Sequence, residues 1–426
     1  MQQLVWAQLN QRQQQQALAR AECVSDASLV DAVADIVAQV KNNGDNALAA
    51  LSAKFDGGLP SQWLFNADQF AAIGEQTELT LKQAIDVALD NIDCFHRAQQ
   101  QQPLSLDVQA GIRCELRTEA IERVGLYVPG GTAPLISTVL MLAKPAQIAG
   151  CQQTVLVTPP PLHPAMAYAA AKCNVDMIAT IGGAQAVAAL AFGTDSIPKV
   201  DKIYGPGSRF VTEAKQQVSQ QGVAIDMPAG PSEVLVLADG SANARFIAAD
   251  LLSQAEHGED SQALLVTDSA ELAAAVAAEV AVQLPALSRV ETATAALAQS
   301  RIIITETMEQ AVAVSNAYGP EHLIIQSEYP RKLLPSVRAA GSVFVGPWSP
   351  ESVGDYASGT NHVLPTYGAS RTVSSLSLAD FQRRFTVQEL THSGLSSLAD
   401  TVMTLANAEG LDAHANAVAV RMETIQ

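Results

Sequence analysis

From Val124 onward, short apolar runs alternate with alanine-rich helical segments, and this alternation limits the possible folds more than any other feature of the chain. In a first block, strands are predicted at 125–128, 154–158, 177–181 and 202–204. A second block predicts strands at 234–237, 264–266, 301–304, 322–325 and 342–345. Strands that alternate with helices favour a parallel sheet covered by helices on both faces. The sequence therefore predicts an α/β fold with two Rossmann-like parallel-sheet units.

The remaining segments complete a predicted division into four parts. Residues 1–22 are glutamine-rich and are expected to form a helical N-terminal arm. Residues 23–124 lack enough strands for a sheet of their own, so we expect them to pack with 233–378 as a first α/β domain. Residues 125–232 form a second α/β domain, and 379–426 form a helical C-terminal tail. With 426 residues, the chain is too long for one ordinary core.

Charge and composition exclude several classes of function. The formal net charge is −18, and no basic stripe is present, which argues against a nucleic-acid partner. The most apolar windows, 137–150 and 272–284, are interrupted by Lys144 and Glu279, so neither predicts a membrane span of about 20 apolar residues. The N-terminus does not resemble a secretory signal. The five cysteines are scattered, which predicts reduced thiols and a cytoplasmic protein.

The segment 251–260 is a candidate metal-binding segment. It follows an apolar helical run, which places Gln254 and His257 on one helical face. An imidazole suits zinc, and an amide oxygen is a weaker, uncharged ligand. The same residues also fit a helix end, with Gly258 as the C-terminal stop and His257 as a favourable last-turn cation. The segment alone leaves both interpretations open.

The segment 318–323 is a second candidate, because a Gly-Pro turn there opens into an apolar strand. Adjacent strand residues point to opposite faces of a sheet, so Glu321 and His322 can share a pocket only where the strand is irregular. Such irregular backbone occurs at the end of a strand, and open α/β sheets bind ligands at strand ends. A carboxylate beside an imidazole supplies two bases of different strength, which suits two proton removals. A solvated turn is the alternative.

Two further segments add potential ligands. A glycine-rich stretch at 353–362 carries Asp355, and the segment 409–414 near the end carries Glu409 and His414. Together these segments offer a divalent ion two imidazoles, one carboxylate and one amide, from Gln254, His257, Asp355 and His414.

No GxGxxG fingerprint of a dinucleotide site follows any predicted strand. The segment 205–208 follows a strand and opens a helix, so its amides could face an anion, but the third glycine is missing. The segment 182–185 has the same limitation. Simple tight turns are the more common explanation for both segments.

The segments 225–236 and 250–257 closely resemble the histidinol dehydrogenase family. The resemblance continues through 125–131, 318–323, 358–365 and the tail that carries Glu409 and His414, so it covers nearly the whole chain. It implies a zinc-dependent enzyme that oxidises L-histidinol to L-histidine through histidinaldehyde with two NAD in succession, at the end of histidine biosynthesis.

The resemblance also implies roles for individual residues. One zinc ion per subunit is implied, bound by Gln254, His257, Asp355 and His414. In the family, the last ligand comes from the partner subunit of a homodimer, which here implies intertwined C-terminal tails. Substrate contacts are implied for the zinc ligands and also for Ser232, His322 and Glu409.

The implied NAD contacts are Tyr127, Gln185 and Ser208. The family usually has asparagine at the third position, and the shorter serine hydroxyl can still make one hydrogen bond.

In the implied mechanism, His322 accepts the alcohol proton as hydride leaves, and Glu321 then activates water to hydrate the aldehyde before the second hydride transfer. The residue pattern by itself leaves two alternatives. One is a zinc hydrolase with Glu321 as its base, and the other is a two-lobed solute-binding protein.

Overall fold

The computed structural model describes residues 1–20, 27–130, 134–227 and 230–423. These residues form two compact units. The main unit contains residues 1–99 and 121–381, and the tail unit contains residues 100–120 and 382–426.

The elements are numbered in chain order. The first hundred or so residues form β1 (Gln2–Val5), α1 (Gln11–Ala17), α2 (Ala27–Phe55), β2 (Leu64–Asn66), α3 (Ala67–Gly74), α4 (Leu79–Arg97), β3 (Leu104–Gln109) and β4 (Ile112–Ala120). The next stretch forms β5 (Arg123–Tyr127), α5 (Ile136–Ala149), β6 (Gln153–Val157), α6 (Pro164–Lys172), β7 (Met177–Ala179), α7 (Gly183–Phe192), β8 (Lys202–Tyr204), α8 (Arg209–Ser219) and β9 (Ala224–Ile225).

The second half begins with β10 (Glu233–Ala238), α9 (Ala244–Ala255), β11 (Gln262–Thr267), α10 (Ala270–Gln283), α11 (Val290–Ala298), β12 (Arg301–Ile304), α12 (Met308–Tyr318), β13 (His322–Gln326), α13 (Pro330–Leu333), β14 (Ser342–Val345) and α14 (Glu351–Tyr356). The chain ends with β15 (Gln382–Leu390), α15 (His392–Ala408) and α16 (Asp412–Glu423).

The first sheet of the main unit has the strand order β2-β7-β6-β5-β8-β9 among the described residues. All pairs are parallel except β2 with β7. The second sheet has the order β1-β12-β11-β10-β13-β14 and is parallel throughout. Every residue of β10 and β11 is buried, as expected for a parallel sheet with helices on both faces. The prediction of two parallel-sheet α/β units is confirmed.

The N-terminal arm differs from its prediction. Residues Gln2–Val5 form an edge strand that pairs in parallel with Arg301–Ile304. In the rest of the described arm, the helical segments are a short 3₁₀ turn at Trp6–Gln8 and the α-helix Gln11–Ala17. A wholly helical arm was therefore wrong. The strand depends on a partner about 300 residues away, so the local sequence carries no signal for it. Cys23, with the rest of residues 21–26, lies outside the described residues.

The residues between the arm and the first sheet also pack differently from the prediction, which grouped 23–124 with 233–378. Strand β2 extends the first sheet, α2 packs against α7 and α8, α3 against α6, and α4 against α5. The physical reason is the apolar stripe of α2, whose buried residues Val33, Val37, Leu48 and Leu51 join the core formed by α7. Residues 27–99 thus complete the first sheet's core.

The tail unit contains an antiparallel sheet of order β15-β4-β3. Strand β15 pairs with β4 along its whole length, from Gln382 opposite Ala120 to Leu390 opposite Ile112. A tail that is helical from residue 379 was therefore wrong over this strand, although α15 and α16 follow it. The strand Gln382–Leu390 is polar and largely exposed, so its sequence lacks the apolar alternation that predicts a half-buried strand.

None of the helices in the described part of the chain combines the length and apolarity that a bilayer span requires. The cysteines that the structure describes, Cys94, Cys114, Cys151 and Cys173, are all free thiols.

Gly205 provides a direct test of the packing after β8. Its φ is +115°, and a Cβ there would lie 1.9 Å from the main-chain oxygen of Tyr127. Gly222 has a φ of +91° but open space around it. We expect Gly222→Ala to lower the free energy of unfolding by about 1 kcal/mol through backbone strain alone. Gly205→Ala should lower it by about 3 kcal/mol, because strain and the clash add. Urea unfolding measures both variants, and equal losses would contradict the close approach.

Candidate active site

The parallel pairing of β10 with β13 brings Glu321 and His322 together with Glu233. The register places Val234 opposite His322, so Glu233 lies beside Glu321. The main-chain N–H of Glu233 donates to Glu321 Oε2 at 2.8 Å, and its carbonyl oxygen lies 3.0 Å from His322 Nδ1. Because a carbonyl oxygen only accepts, Nδ1 carries the proton. His322 Nε2 is then left as the basic nitrogen.

This pair lies at the amino-terminal edge of the second sheet, because His322 is the first residue of β13 and Glu233 the first of β10. The ligand crevices of open α/β sheets usually lie at the opposite, carboxyl edge. Helix α9 explains the location. It follows β10 and runs back across the sheet, so its C-terminal end returns Gln254 and His257 to the amino edge.

Carboxylates surround the His322 ring. Asp355 Oδ1 lies 3.6 Å from Nε2, and Glu321 Oε2 lies 3.6 Å from Nδ1. The side chains of His322 and Glu321 are only 5% and 9% exposed, so their charges are poorly screened by water. Among the described residues, His322 Nε2 is a buried polar atom without a hydrogen-bond partner. This nitrogen faces Asp355 and makes no hydrogen bond within the described part of the chain.

Gln254 connects His257 to a further buried carboxylate. The amide of Gln254 is satisfied when its nitrogen faces Glu351, 3.2 Å from both carboxylate oxygens. Its oxygen then accepts a hydrogen bond from His257 Nδ1 at 3.0 Å. His257 therefore presents an unprotonated Nε2, and its side chain remains exposed to solvent. Asp355 interacts electrostatically with both His257 and His322.

The sequence analysis missed Glu351, which is 1% exposed. Its one sequence signal was the spacing of four residues from Asp355, but the helix Glu351–Tyr356 that places both on one face was not predicted. Asp250 was missed as well. It is a buried carboxyl group on α9 that accepts a hydrogen bond from Gln326 Nε2 at 2.7 Å.

The pKa values show that the pocket holds more acidic groups than it can keep ionised. Burial raises the pKa of Glu321 to about 7 and that of Glu351 to about 8. Burial also lowers the pKa of His322, but the carboxylates of Glu321, Glu351 and Asp355 outweigh this effect and raise it to about 10. For Asp355, burial raises the pKa, but the facing imidazole of His322 leaves it lowered. The surplus of negative groups favours a bound cation.

Two hydrogen bonds of His362 connect this pocket to helix α5, which follows a strand of the first sheet. His362 Nδ1 donates to the main-chain oxygen of Asp355 at 2.9 Å. Its Nε2 lies 3.3 Å from Thr138 Oγ1, on α5. Helix α5 follows β5, the strand that ends at Tyr127. The sequence identified the segment that contains His362 without giving this residue a role.

The three residues predicted to contact NAD lie at the carboxyl edge of the first sheet. Tyr127 ends β5, Gln185 lies in the first turn of α7, and Ser208 is the residue before α8. Strand order reverses between β5 and β8, which is where parallel sheets bind ligands. Tyr127 Oη accepts a hydrogen bond from the main-chain N–H of Gly183 at 3.1 Å, and Gln185 Nε2 donates to Asp56 Oδ2 at 3.2 Å. Ser208 is exposed, and its side chain makes no capping hydrogen bond.

The remaining predicted residues are distributed as follows. Ser232 immediately precedes β10 and is partly buried. Glu409 and His414 belong to the tail unit, where both are exposed at the α15–α16 junction. In the described ranges, no three His, Cys, Asp or Glu side chains converge as a metal-binding group. Of the four predicted ligands, Gln254, His257 and Asp355 belong to the main unit and His414 to the tail unit.

Parts of two sequence motifs cannot be placed. Gly131 in the motif 125–131, and Pro228 and Ala229 in the motif 225–236, lie outside the described residues.

Comparisons with known proteins identify the family of this chain. A family model described as "Histidinol dehydrogenase" matches residues 19–422. Histidinol dehydrogenase of Shewanella oneidensis is 59% identical and is aligned over 99% of each chain. The Escherichia coli K12 protein of the same name is 55% identical, over 99% of this chain and 98% of its own. A crystal structure of histidinol dehydrogenase from Elizabethkingia anophelis has a TM-score of 0.96 and 42% identity, covering 100% of this chain and 98% of that one. The chain belongs to the histidinol dehydrogenase family.

Proposed function

We propose that this protein oxidises L-histidinol to L-histidine through histidinaldehyde, with successive hydride transfers to two NAD, as the last step of histidine biosynthesis. The proposal depends chiefly on the buried pair of Glu321 and His322. Nε2 of His322 has no hydrogen-bond partner among the described residues. Family membership supports this function over a zinc hydrolase or a two-lobed solute-binding protein.

One zinc ion per subunit would be held by Gln254, His257, Asp355 and His414 of the partner subunit. The donor set in the main unit fits zinc in kind, because it offers an amide oxygen, a carboxylate and the unprotonated Nε2 of His257. Gln254 would exchange its hydrogen bond with His257 Nδ1 for a bond to the ion. The surrounding excess of buried carboxylates also fits a divalent cation. When bound, zinc would supply a Lewis acid that accepts the nitrogen lone pairs of the imidazole and unprotonated amine of histidinol. Ser232, His322 and Glu409 would complete the substrate contacts.

The two bases would act in turn. In the first oxidation, His322 Nε2 would accept the proton of the substrate hydroxyl as hydride leaves, since Nδ1 is already held by the Glu233 carbonyl. The carboxylates that raise the pKa of His322 are the groups that a bound cation would neutralise, so occupancy favours the neutral imidazole. In the second, Glu321 would remove a proton from water, and the main-chain N–H of Glu233 holds its carboxylate in place.

NAD would bind at the carboxyl edge of the first sheet, in contact with Tyr127, Gln185 and Ser208. The support is their common location beside the reversal of strand order between β5 and β8. The exposed Ser208 hydroxyl can make one hydrogen bond to the cofactor, where the asparagine usual in the family offers more.

We propose that the chain works as a homodimer with intertwined C-terminal tails. In the tail unit, Leu104, Leu106 and Val108 alternate with polar residues along β3 and are 56%, 55% and 52% exposed. An exposed apolar row of this kind is typical of a surface that another protein covers. A second copy of this chain would cover it while its tail supplies Glu409 and His414.

The proposed reaction predicts a definite stoichiometry. Purified protein incubated with L-histidinol and NAD should release two NADH per histidinol consumed, with histidine as the product. Chelation should abolish the activity and zinc should restore it. Release of one NADH with free aldehyde, or no NADH from zinc-replete protein, would contradict the proposal.

A matched pair of histidine variants separates metal binding from general damage. His257→Asn should lose bound zinc and lower kcat by at least about 10²-fold, because a first ligand is removed. His163→Asn is the control. His163 caps α6 through its side chain, and asparagine is an equally good cap, so zinc content and kcat should stay near wild type.

The proposed water route predicts that no cysteine is needed. Burial raises the pKa of the Cys151 thiol to about 12, so this residue is not a thiolate at neutral pH. Cys114 lies on β4 of the tail unit. We expect Cys114→Ser and Cys151→Ser each to keep most of both oxidations, measured as histidine formed per NADH. Loss of the second oxidation alone in either variant would overturn the water route.

A further inference from the structure

Both proton acceptors depend on the main chain of a single residue, Glu233. Its N–H donates to Glu321 Oε2 at 2.8 Å, and its carbonyl accepts from His322 Nδ1 at 3.0 Å. A displacement of Glu233 would therefore disturb the carboxylate and the imidazole together.

The position of Glu233 is set in turn by its buried side chain, which is 3% exposed. Arg20 binds this carboxylate with two groups, Nε to Oε1 and Nη2 to Oε2, the second at 2.8 Å. The main-chain N–H of Tyr367 also donates to Oε1, at 3.0 Å. A planar guanidinium that binds both oxygens fixes the direction of a carboxylate as well as its distance.

Arg20 also contacts the chain that leads into β13. Its Nη2 lies 3.1 Å from the carbonyl oxygen of Tyr318 and 3.2 Å from that of Gly319. The guanidinium carbon stacks 3.9 Å from the centre of the Tyr318 ring. One side chain thus ties together the residues that enter β10 and β13, the strands that carry the two bases.

The arm that supplies Arg20 is anchored at the same place. Gln262 Nε2 donates to the carbonyl oxygen of Ala19 at 3.3 Å, and Gln262 Oε1 accepts from Tyr318 Oη at 2.7 Å. The arm is therefore held against the entrances of both strands by two successive residues, and Arg20 reaches Glu233 across 213 positions of sequence.

We propose that Arg20 is a positioning residue for the reaction, which aims Glu321 and His322 by holding Glu233. This inference rests on the proposed function, because that function gives the two residues their proton transfers. Arg20 acts through Glu233, so its loss should lower kcat more than it changes KM.

Three variants test the proposal. Arg20→Met removes the two-group contact and should lower kcat by about 10- to 100-fold, with the KM for histidinol and for NAD within about threefold of wild type. Arg20→Met also leaves the Glu233 carboxylate buried without its cation, which lowers stability. The double variant Arg20→Met/Glu233→Gln removes that charge, so its thermal midpoint should recover while kcat stays low.

Tyr318→Phe is the matched control. It deletes the hydrogen bond to Gln262 but keeps the ring under the guanidinium, so the thermal midpoint should fall while kcat stays within about twofold of wild type.

Wild-type protein assayed in parallel separates the two claims, because failure to reduce NAD with histidinol would refute the proposed function itself. With an active wild type, a kcat for Arg20→Met within about twofold of it would overturn the positioning role. Recovery of both kcat and stability in the double variant would also overturn it. A loss of kcat in Tyr318→Phe as large as that in Arg20→Met would overturn it as well. If Arg20→Met does not fold, the double variant decides by its kcat.

Discussion

The main unit buries an excess of acidic groups around one imidazole, and the chemistry of the site follows from this arrangement. Glu321, Glu351 and Asp355 all act on His322 within a pocket that water barely reaches. Uncompensated charge in such a place is expensive, so carboxyl groups retain protons that they would lose in water. The raised pKa values of Glu321 and Glu351 express that cost. A divalent cation would remove this cost by balancing the negative charge. Metal binding would therefore be coupled to ionisation of the carboxyl groups and to loss of a proton from His322.

The topology of the two sheets explains how this pocket and the proposed cofactor surface arise from similar units. In each sheet, three consecutive strands are added side by side in one direction. The next strand in sequence then pairs with the other side of the first of these three. The reversal lies between β5 and β8 in one sheet and between β10 and β13 in the other. The first sheet presents Tyr127 at the carboxyl edge of its reversal, whereas the second presents Glu233 and His322 at the amino edge. The shared winding is consistent with an ancient duplication, although the sequence has no fixed-period repeat to support one.

The parts of the fold that could be predicted are those whose signal is local. Buried parallel strands are apolar runs, and the helices between them are alanine-rich, so the two α/β units follow directly from the sequence. The edge strand β1 and the tail strand β15 could not be found in this way, because both are polar or short and depend on partners far away in the sequence. The apolar stripe of α2 packs on the first sheet's side of the main unit. The helices of both sheets are similarly apolar, so composition does not indicate which of them α2 contacts.

The candidate site likewise contains some residues that the local sequence indicates and others that it does not. Histidines and carboxylates in distinctive segments, such as His257 and Asp355, could be singled out by chemistry and by resemblance to a family. Glu233 and Arg20 could not, because a strand-initial glutamate and an arginine in a glutamine-rich arm are unremarkable until the fold brings them together. Glu351 lies between these cases, since its spacing of four residues from Asp355 is visible in the sequence, whereas the helix that puts both on one face is not.

The central claim is that the acidic pocket beside His322 is a cation site shared between subunits. Anomalous diffraction at the zinc edge, from crystals of the zinc-loaded active protein, tests it most directly. We expect one strong peak per subunit, about 2.0–2.2 Å from His257 Nε2, an Asp355 oxygen and the Gln254 amide oxygen, with the partner subunit's His414 as the fourth ligand. A peak bound elsewhere in fully active protein, or a peak at this pocket with no His414 in contact, would contradict it.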